Sequence, residues 1–131
     1  MEKVTNEQKT ANLLDKSLLI VDDDNALRER LSRAMEKKGF KVIQASTVQQ
    51  GISQAKNSPP AFAVVDLRLN DGNGLEVVRE IQKIKKNSRI IMLTGYGNIP
   101  TAVAAIKEGA IDYLAKPADA DDVEKALLAD P

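Results

Sequence analysis

Short apolar runs alternate along this chain with longer segments of helical period. From Ser17 onward, runs rich in branched apolar residues, such as Leu18-Leu19-Ile20-Val21 and Ala63-Val64-Val65, are separated by segments in which apolar residues recur every three or four positions. This alternation is typical of repeated strand–helix units around a parallel sheet. The pattern therefore predicts an α/β domain with five such units.

The same pattern predicts where the elements begin and end. Gly39 and Gly109 suit the left-handed position that ends a helix, Pro59 and Pro60 close another helix, and Asn98 is expected to cap the helix before the last strand. The strands are expected at residues 17–22, 40–44, 61–66, 89–93 and 110–115.

The first sixteen residues show neither pattern. Residues 1–16 are polar and lack the apolar centre of a signal peptide, so we expect a flexible leader before a single domain at residues 17–129. No apolar run approaches the ~20 residues of a membrane span. A cytoplasmic protein without membrane contact is therefore expected.

Composition narrows the possible chemistry. The 131 residues include 19 Lys and Arg against 19 Asp and Glu, and this formal charge of zero gives no global reason to bind nucleic acid or an anionic membrane. There is no Cys and no His, which excludes disulfides, thiolate or imidazole metal sites and imidazole catalysis. Of the common kinds of metal site, oxygen ligation of the Mg²⁺ type remains possible.

Carboxylates follow two of the predicted strands. Asp22, Asp23 and Asp24 come directly after the first apolar run, and Asp66 ends the third predicted strand. Because the carboxyl ends of parallel strands meet at one edge of a sheet, these side chains should lie close together. Clustered carboxylates repel one another unless a cation neutralises them, which suits Mg²⁺. Asp24 is equally well suited to cap the first helix.

A hydroxyl and an amine follow the last two strands. Thr94 comes after the fourth predicted strand and Lys116 after the fifth. A carboxylate that attacks a phosphoryl group forms an acyl phosphate, and the charge on the transferred oxygens calls for a metal, an ammonium group and a hydroxyl donor. Taken alone, Lys116 would be an ordinary surface amine and Thr94 an ordinary strand-end hydroxyl, so their predicted roles depend on one another.

In their order and spacing these residues resemble the receiver domain of bacterial two-component response regulators. The resemblance rests on the acidic pair, the lone Asp with Gly74 eight residues on, the Thr, and the pair Lys116-Pro117, where the family has a cis peptide bond. Three stretches, DLRLNDGNGLEVV, TGYGNI and DYLAKPADADDVEKAL, are further similar to the redox regulators of the RegA/PrrA/ActR group. The resemblance implies a flavodoxin-like, doubly wound (βα)5 sandwich with strand order 2-1-3-4-5.

The resemblance also implies a role for each acidic residue. Asp66 would accept a phosphoryl group from a sensor histidine kinase. Asp22 and Asp23 would hold Mg²⁺ together with an Asp66 oxygen and the backbone carbonyl of Arg68. On this interpretation the chain is not an enzyme beyond catalysing its own phosphorylation and dephosphorylation.

The remaining implied roles concern switching and phosphate lifetime. Thr94 and Lys116 would bind the phosphoryl oxygens, and Tyr113 would turn inward as the Thr94 hydroxyl moves toward the phosphate. The surface formed by the fourth helix, fifth strand and fifth helix, roughly residues 98–128, would then change, and there family members form dimers. Arg68 and Tyr96 match positions that tune access of the hydrolytic water, which predicts slow-to-moderate loss of phosphate.

The sequence leaves the output open. In the redox regulators a DNA-binding helix-turn-helix domain follows the receiver through a Pro-containing linker, and this sequence ends at Asp130-Pro131. A receiver from a longer transcription factor and a single-domain regulator both fit. In the first case, DNA would be contacted only by an output domain absent from this sequence.

The same residues allow two other functions to be compared with this one. A haloacid-dehalogenase-like phosphatase with Asp22 as nucleophile also uses Mg²⁺, and Asp24 matches its spacing, but Ala26 replaces its downstream Thr or Val and no paired-acid motif follows Lys116. A flavin- or nucleotide-binding module is less consistent, because three carboxylates after the first strand would repel phosphate.

Overall fold

The computed structural model describes residues 4–95 and 99–129, in which helices and strands alternate after a short N-terminal helix. In chain order the elements are α1 (Asn6–Ala11), β1 (Ser17–Val21), α2 (Asn25–Lys37), β2 (Lys41–Ala45), α3 (Val48–Asn57), β3 (Phe62–Asp66), β4 (Arg68–Leu69), β5 (Gly72–Asn73), α4 (Gly74–Ile84), β6 (Arg89–Thr94), α5 (Ile99–Lys107), β7 (Asp112–Ala115) and α6 (Ala120–Leu128).

Five parallel strands form the central sheet in the order β2-β1-β3-β6-β7. Counted over these five strands this is the order 2-1-3-4-5, so the predicted topology is confirmed. Successive side chains of β1 lie on opposite faces of the sheet, each of which has its own hydrophobic core. Leu18 and Ile20 pack with α2 and α6 on one face, whereas Leu19 and Val21 pack with α3, α4 and α5 on the other. Burial on both faces explains why this strand is apolar throughout.

Polar caps fix the helix starts near the carboxyl edge of the sheet. Asp24 accepts the backbone N–H of Leu27 at 3.0 Å and caps α2, so the prediction that Asp24 is a helix cap is confirmed. Gly39 and Gly109 adopt φ angles of 107° and 122° directly after α2 and α5, as expected for the left-handed position. The predicted cap at Asn98 lies outside the described residues.

The N-terminal segment differs from the prediction. A capping box between Thr5 and Gln8 starts helix α1, and Thr10 in this helix is completely buried. The Thr10 hydroxyl donates to Glu124 Oε2 in α6 at 2.8 Å, and Leu13 packs against the α2–α6 core. The expectation of a flexible leader is therefore wrong for residues 6–11. A helix of six residues is too short to show a 3.6-residue period, although its capping box was readable.

The loop after β3 also contains structure that was not predicted. β4 and β5 pair antiparallel as a short hairpin, with Arg68 opposite Asn73 and Leu69 opposite Gly72. The last strand begins at Asp112, two residues later than expected. No helix in the described part of the chain is long and apolar enough to cross a membrane.

Candidate functional site

Adjacent strands bring the predicted acidic residues together at the carboxyl edge of the sheet. Val21 of β1 pairs with Val65 of β3, so Asp22 and Asp66 leave neighbouring strands side by side. Both are buried, with 1% and 6% of their surface exposed, whereas Asp23 is half-buried. One carboxylate oxygen from each of Asp22, Asp23 and Asp66 lies within 4.8 Å of the others.

The amine of Lys116 bridges the two buried carboxylates. Its Nζ atom donates to Asp66 Oδ2 at 2.9 Å and lies 3.0 Å from Asp22 Oδ2. The backbone N–H of Lys116 donates to the carbonyl oxygen of Thr94 at 2.8 Å, which fixes the start of the loop after β7. The peptide bond between Lys116 and Pro117 is cis, as expected from the resemblance.

Burial and charge shift the pKa values of this cluster. Burial raises the pKa of Asp66, the neighbouring charge of Asp22 raises it further, and the hydrogen bond from Lys116 only partly opposes these effects. Burial by itself would lower the pKa of Lys116, but hydrogen bonds and charge from Asp66 and Asp22 outweigh it and leave that pKa raised. One ammonium group thus faces three carboxylates, so the site carries excess negative charge.

The donor set fits a divalent cation. Asp22 Oδ1 accepts the backbone N–H of Asp24 at 2.9 Å, whereas the buried Oδ2 has, among the described residues, only the ion pair with Lys116 Nζ at 3.0 Å. One ammonium group that is shared with Asp66 compensates this buried carboxylate incompletely, and a bound cation would compensate it further. Three clustered carboxylates form the all-oxygen environment that Mg²⁺ prefers.

The structure places Thr94 at the same edge and Tyr113 behind it. Thr94 is buried at the end of β6, one residue past the Leu93 that pairs with Asp66. Tyr113 of β7 pairs with Met92, and its half-buried ring packs against the core formed with α3, α4 and α5. Thr94 and Tyr113 therefore lie on neighbouring strands.

Of the two residues predicted to tune phosphate lifetime, the structure describes one. Arg68 is exposed two positions after Asp66, and its backbone N–H donates to Asp66 Oδ1 over a long 3.4 Å. Tyr96 lies outside the described residues.

Sequence reasoning missed two supporting residues. Arg28 of α2 donates from Nη1 to the carbonyl oxygen of Asp22 at 2.8 Å and from Nε to Gln44 Oε1 at 2.9 Å, which fixes the turn that carries the acidic pair. Asp71, at the tip of the β4–β5 hairpin, bonds to the first turn of α3. The Arg28–Gln44 and Val48–Asp71 contacts span 16 and 23 positions and the Arg28–Asp22 contact spans six, so none of them follows a local helix or turn pattern.

Comparison with known proteins identifies a family. Residues 18–128 match the sequence model described as the response regulator receiver domain. The chain is 60% identical over 117 residues to the acid tolerance regulatory protein ActR of Rhizobium meliloti (strain 1021), covering 89% of this chain and 60% of that protein. It is also 60% identical over 115 residues to the photosynthetic apparatus regulatory protein RegA of Rhodobacter capsulatus, covering 88% and 62%. The chain thus spans about 60% of the length of these relatives.

Solved structures agree with these relationships. A response regulator protein from Burkholderia pseudomallei superposes with a TM-score of 0.83 at 36% identity, covering 88% of this chain and 68% of that one. That structure is described as containing a phosphorylated aspartic acid, a calcium ion and citrate. A receiver domain protein from Clostridium thermocellum gives a TM-score of 0.79 at 30% identity, covering 85% and 90%. The phosphatase alternative with Asp22 as nucleophile is not supported.

Proposed function

This chain belongs to the response regulator receiver family, and from that premise we propose that Asp66 accepts a phosphoryl group in a Mg²⁺-dependent reaction. The observation that carries the proposal is the position of the Asp66 carboxylate, which is buried at a strand end, bonded to Lys116 at 2.9 Å and clustered with Asp22 and Asp23. The proposed nucleophile, the proposed cation site and an ammonium group therefore lie together at the carboxyl edge of the sheet.

The reaction is a simple displacement at phosphorus. An ionised Asp66 oxygen forms a bond to phosphorus while the bond between phosphorus and the donor breaks, and the electron pair leaves with the donor. We propose a phosphohistidine of a sensor histidine kinase as that donor. Lys116 opposes part of the effect of burial on the Asp66 pKa, since its ammonium group favours the charged carboxylate.

Each neighbouring residue then has a defined part. Asp22, Asp23, an Asp66 oxygen and the Arg68 backbone carbonyl would hold Mg²⁺, which when bound neutralises charge on the phosphoryl oxygens. Lys116 and Thr94 would bind those oxygens.

We further propose that Thr94 and Tyr113 transmit the change. Movement of the Thr94 hydroxyl toward the phosphate would make room for the Tyr113 ring, which is already half-buried on the next strand. The outer face of α5, β7 and α6 would change in response. Exposed apolar side chains lie on α5, at Val103 and Ile106, and just before β7, at Ile111, which suits pairing with a second copy.

The relatives bear on the output, because they are longer than this chain and their names describe regulators of acid tolerance and of the photosynthetic apparatus. We propose that this receiver controls transcription through a DNA-binding domain outside this sequence.

Access of water would set how long the signal lasts, with Arg68 and Tyr96 hindering it. Shortening Arg68 to Ala should speed loss of the phosphoryl group, and unchanged decay would remove Arg68 from that role.

The primary test is intact-mass analysis after incubation with acetyl phosphate. The wild type should gain one phosphoryl group with Mg²⁺ and none with EDTA. Asp66→Asn should gain none, whereas Asp112→Asn, which alters an exposed aspartate of β7, should behave like the wild type. An adduct that persists in Asp66→Asn would contradict the assignment of the acceptor. Donor turnover that depends on Asp22 without an adduct would instead indicate a phosphatase.

Self-association has its own test. Sedimentation velocity with and without a beryllofluoride mimic of the acyl phosphate should show a larger species only with the mimic. Ile106→Glu should prevent this change without altering phosphorylation, because Ile106 is exposed on α5. Identical sedimentation of the wild type in both states would refute the dimer.

A further inference from the structure

The hairpin next to the acceptor is too small to hold its own position. β4 and β5 contribute two residues each, and an isolated two-stranded hairpin is only marginally stable in water. Its first residue, Arg68, lies two positions after Asp66, so the placement of the hairpin determines the placement of the backbone beside the acceptor. Contacts outside the hairpin must therefore fix this part of the site.

One set of contacts holds the base of the hairpin. Leu67 and Leu69 are buried in the core, and the backbone N–H of Gly74 donates to the carbonyl oxygen of Leu67 at 2.8 Å. The side chain of Asn73 accepts the backbone N–H of Leu75 at 2.8 Å and caps α4. The base is thus attached to the start of α4.

A different contact holds the tip. Asp71 Oδ1 accepts the backbone N–H of Val48 at 2.7 Å, and Oδ2 accepts that of Gln49 at 3.1 Å. These are N–H groups of the first turn of α3, which lack partners within the helix and lie at its positive end. The same hydrogen bonds, that of Val48 first, lower the pKa of Asp71, so its carboxylate stays charged at neutral pH.

The tip contact is separate from the helix's own cap. Thr47 caps α3 locally, since its hydroxyl accepts the backbone N–H of Gln50 at 3.0 Å. Asp71 satisfies two further N–H groups of the same helix end and at the same time links it to a turn 23 positions away. Because Thr47 already caps the helix, the contribution specific to Asp71 is the link to the hairpin.

We propose that Asp71 is a positioning residue of the acceptor site, which anchors the tip of the β4–β5 hairpin to the N-terminus of α3 and thereby places the Arg68 backbone for cation and phosphoryl binding. This inference rests on the proposed function, because it assigns Asp71 to the site built around Asp66. Asp71 itself touches neither the cation nor the phosphoryl group. Loss of the anchor loosens one side of the site and leaves its carboxylates and Lys116 in place.

Two variants at α3 separate positioning from stability. Asp71→Ala breaks the link between hairpin and helix, whereas Thr47→Ala weakens the same helix end and leaves the link intact. Mutation of a residue that supports a metal ligand typically lowers metal affinity by about 10- to 100-fold. Asp71 acts on the site only through three residues of backbone, so we expect a smaller effect, with Asp71→Ala weakening Mg²⁺ binding about 5- to 10-fold. Thr47→Ala should stay within about twofold, and Asp71→Asn, which retains one acceptor oxygen, should fall between them.

The readouts are Mg²⁺ affinity by calorimetry, amide hydrogen exchange, and the initial rate of modification by acetyl phosphate. In Asp71→Ala the Val48 and Gln49 amides should lose protection, and both affinity and rate should fall. Equal affinity and rate in Asp71→Ala and Thr47→Ala would overturn the inference. If the wild type binds Mg²⁺ but takes no phosphoryl group, the proposed function fails, and the affinity comparison still decides the role of Asp71.

Discussion

Replacement of Thr10 by Val should lower the free energy of unfolding by about 1–2 kcal/mol. The two side chains have nearly the same shape, so the change removes the hydroxyl while leaving the packing of α1 against α6 in place. Thr10 is completely buried, and Glu124, which accepts its hydrogen bond at 2.8 Å, is only 5% exposed. Water cannot readily replace the lost donor.

The magnitude follows from the partners that Glu124 keeps. A hydrogen bond to a charged group contributes about 1.5–3 kcal/mol. Lys38 Nζ lies 3.3 Å from Glu124 Oε1 and remains after the substitution, so the carboxylate is not left alone and the loss should lie near or below the lower end of that range. For a chain of this length, about 4 °C per kcal/mol converts this loss to a fall in Tm of roughly 4–8 °C.

A double-mutant cycle isolates the contact. Urea unfolding, followed by far-UV circular dichroism because the chain has no Trp, would be measured for the wild type, Thr10→Val, Glu124→Met and the double variant. With Met at position 124 the hydroxyl has lost its acceptor, so removal of the Thr10 hydroxyl should then be neutral or stabilising. An equal cost of Thr10→Val in both backgrounds would refute the reasoning.

A second buried hydroxyl supplies the control. Ser32 of α2 is fully buried, and its Oγ has no hydrogen-bond partner among the described residues. Ser32→Ala should therefore cost little or increase stability, in contrast with Thr10→Val. If both substitutions cost the same, the loss would reflect burial of any hydroxyl and not the bond to Glu124.

Three further outcomes follow from the site. Gly74→Ala should lower the free energy of unfolding by about 2 kcal/mol, because its Cβ would overlap the Asp66 carbonyl oxygen, whereas Gly51→Ala, whose Cβ meets only valine methyl groups at 3.2–3.3 Å, should cost less; equal losses in urea unfolding would contradict this. Burial holds the folded pKa of Asp66 above its ordinary value of 3.8, so the contribution of Asp66 to the stability of the metal-free protein falls as pH rises from 3.8 through the raised value. Asp66→Asn should therefore be the more stable protein in EDTA at pH 7, with a smaller difference near pH 4; a less stable variant at pH 7 would reverse the sign. Mg²⁺ at about 100 times its Kd should stabilise the wild type by about 2.7 kcal/mol in the same assay, and a Tm independent of Mg²⁺ would argue against a cation site.

The sequence predicts the central sheet because its signal is repeated and strong. The three central strands, β1, β3 and β6, are apolar runs bounded by a Gly, Pro or Asp, and burial on both faces of β1 and β3 leaves no alternating pattern to mislead. The two elements that were missed, α1 and the β4–β5 hairpin, are short. Periodicity needs several turns or residue pairs before it becomes visible.

The residues of the candidate site are predictable from the sequence, but the contacts that support them are not. Asp22, Asp23, Asp66 and Lys116 converge because each one follows a strand of a parallel sheet, so topology alone brings them together. The support that surrounds them depends on single long-range hydrogen bonds. The contact between Arg28 and Gln44 spans 16 positions, and no local rule pairs an arginine with one particular glutamine.

Helix α1 has a practical consequence for anyone who transfers this receiver domain into a chimaeric regulator. The family match begins at residue 18, after the helix whose Thr10 hydroxyl donates a hydrogen bond to Glu124. A junction at that boundary would remove Glu7 from the polar pocket that it lines together with Lys37, Lys38 and Glu124 of α6. Fusions should instead retain the chain from Thr5, so that the capping box and the helix travel with the domain.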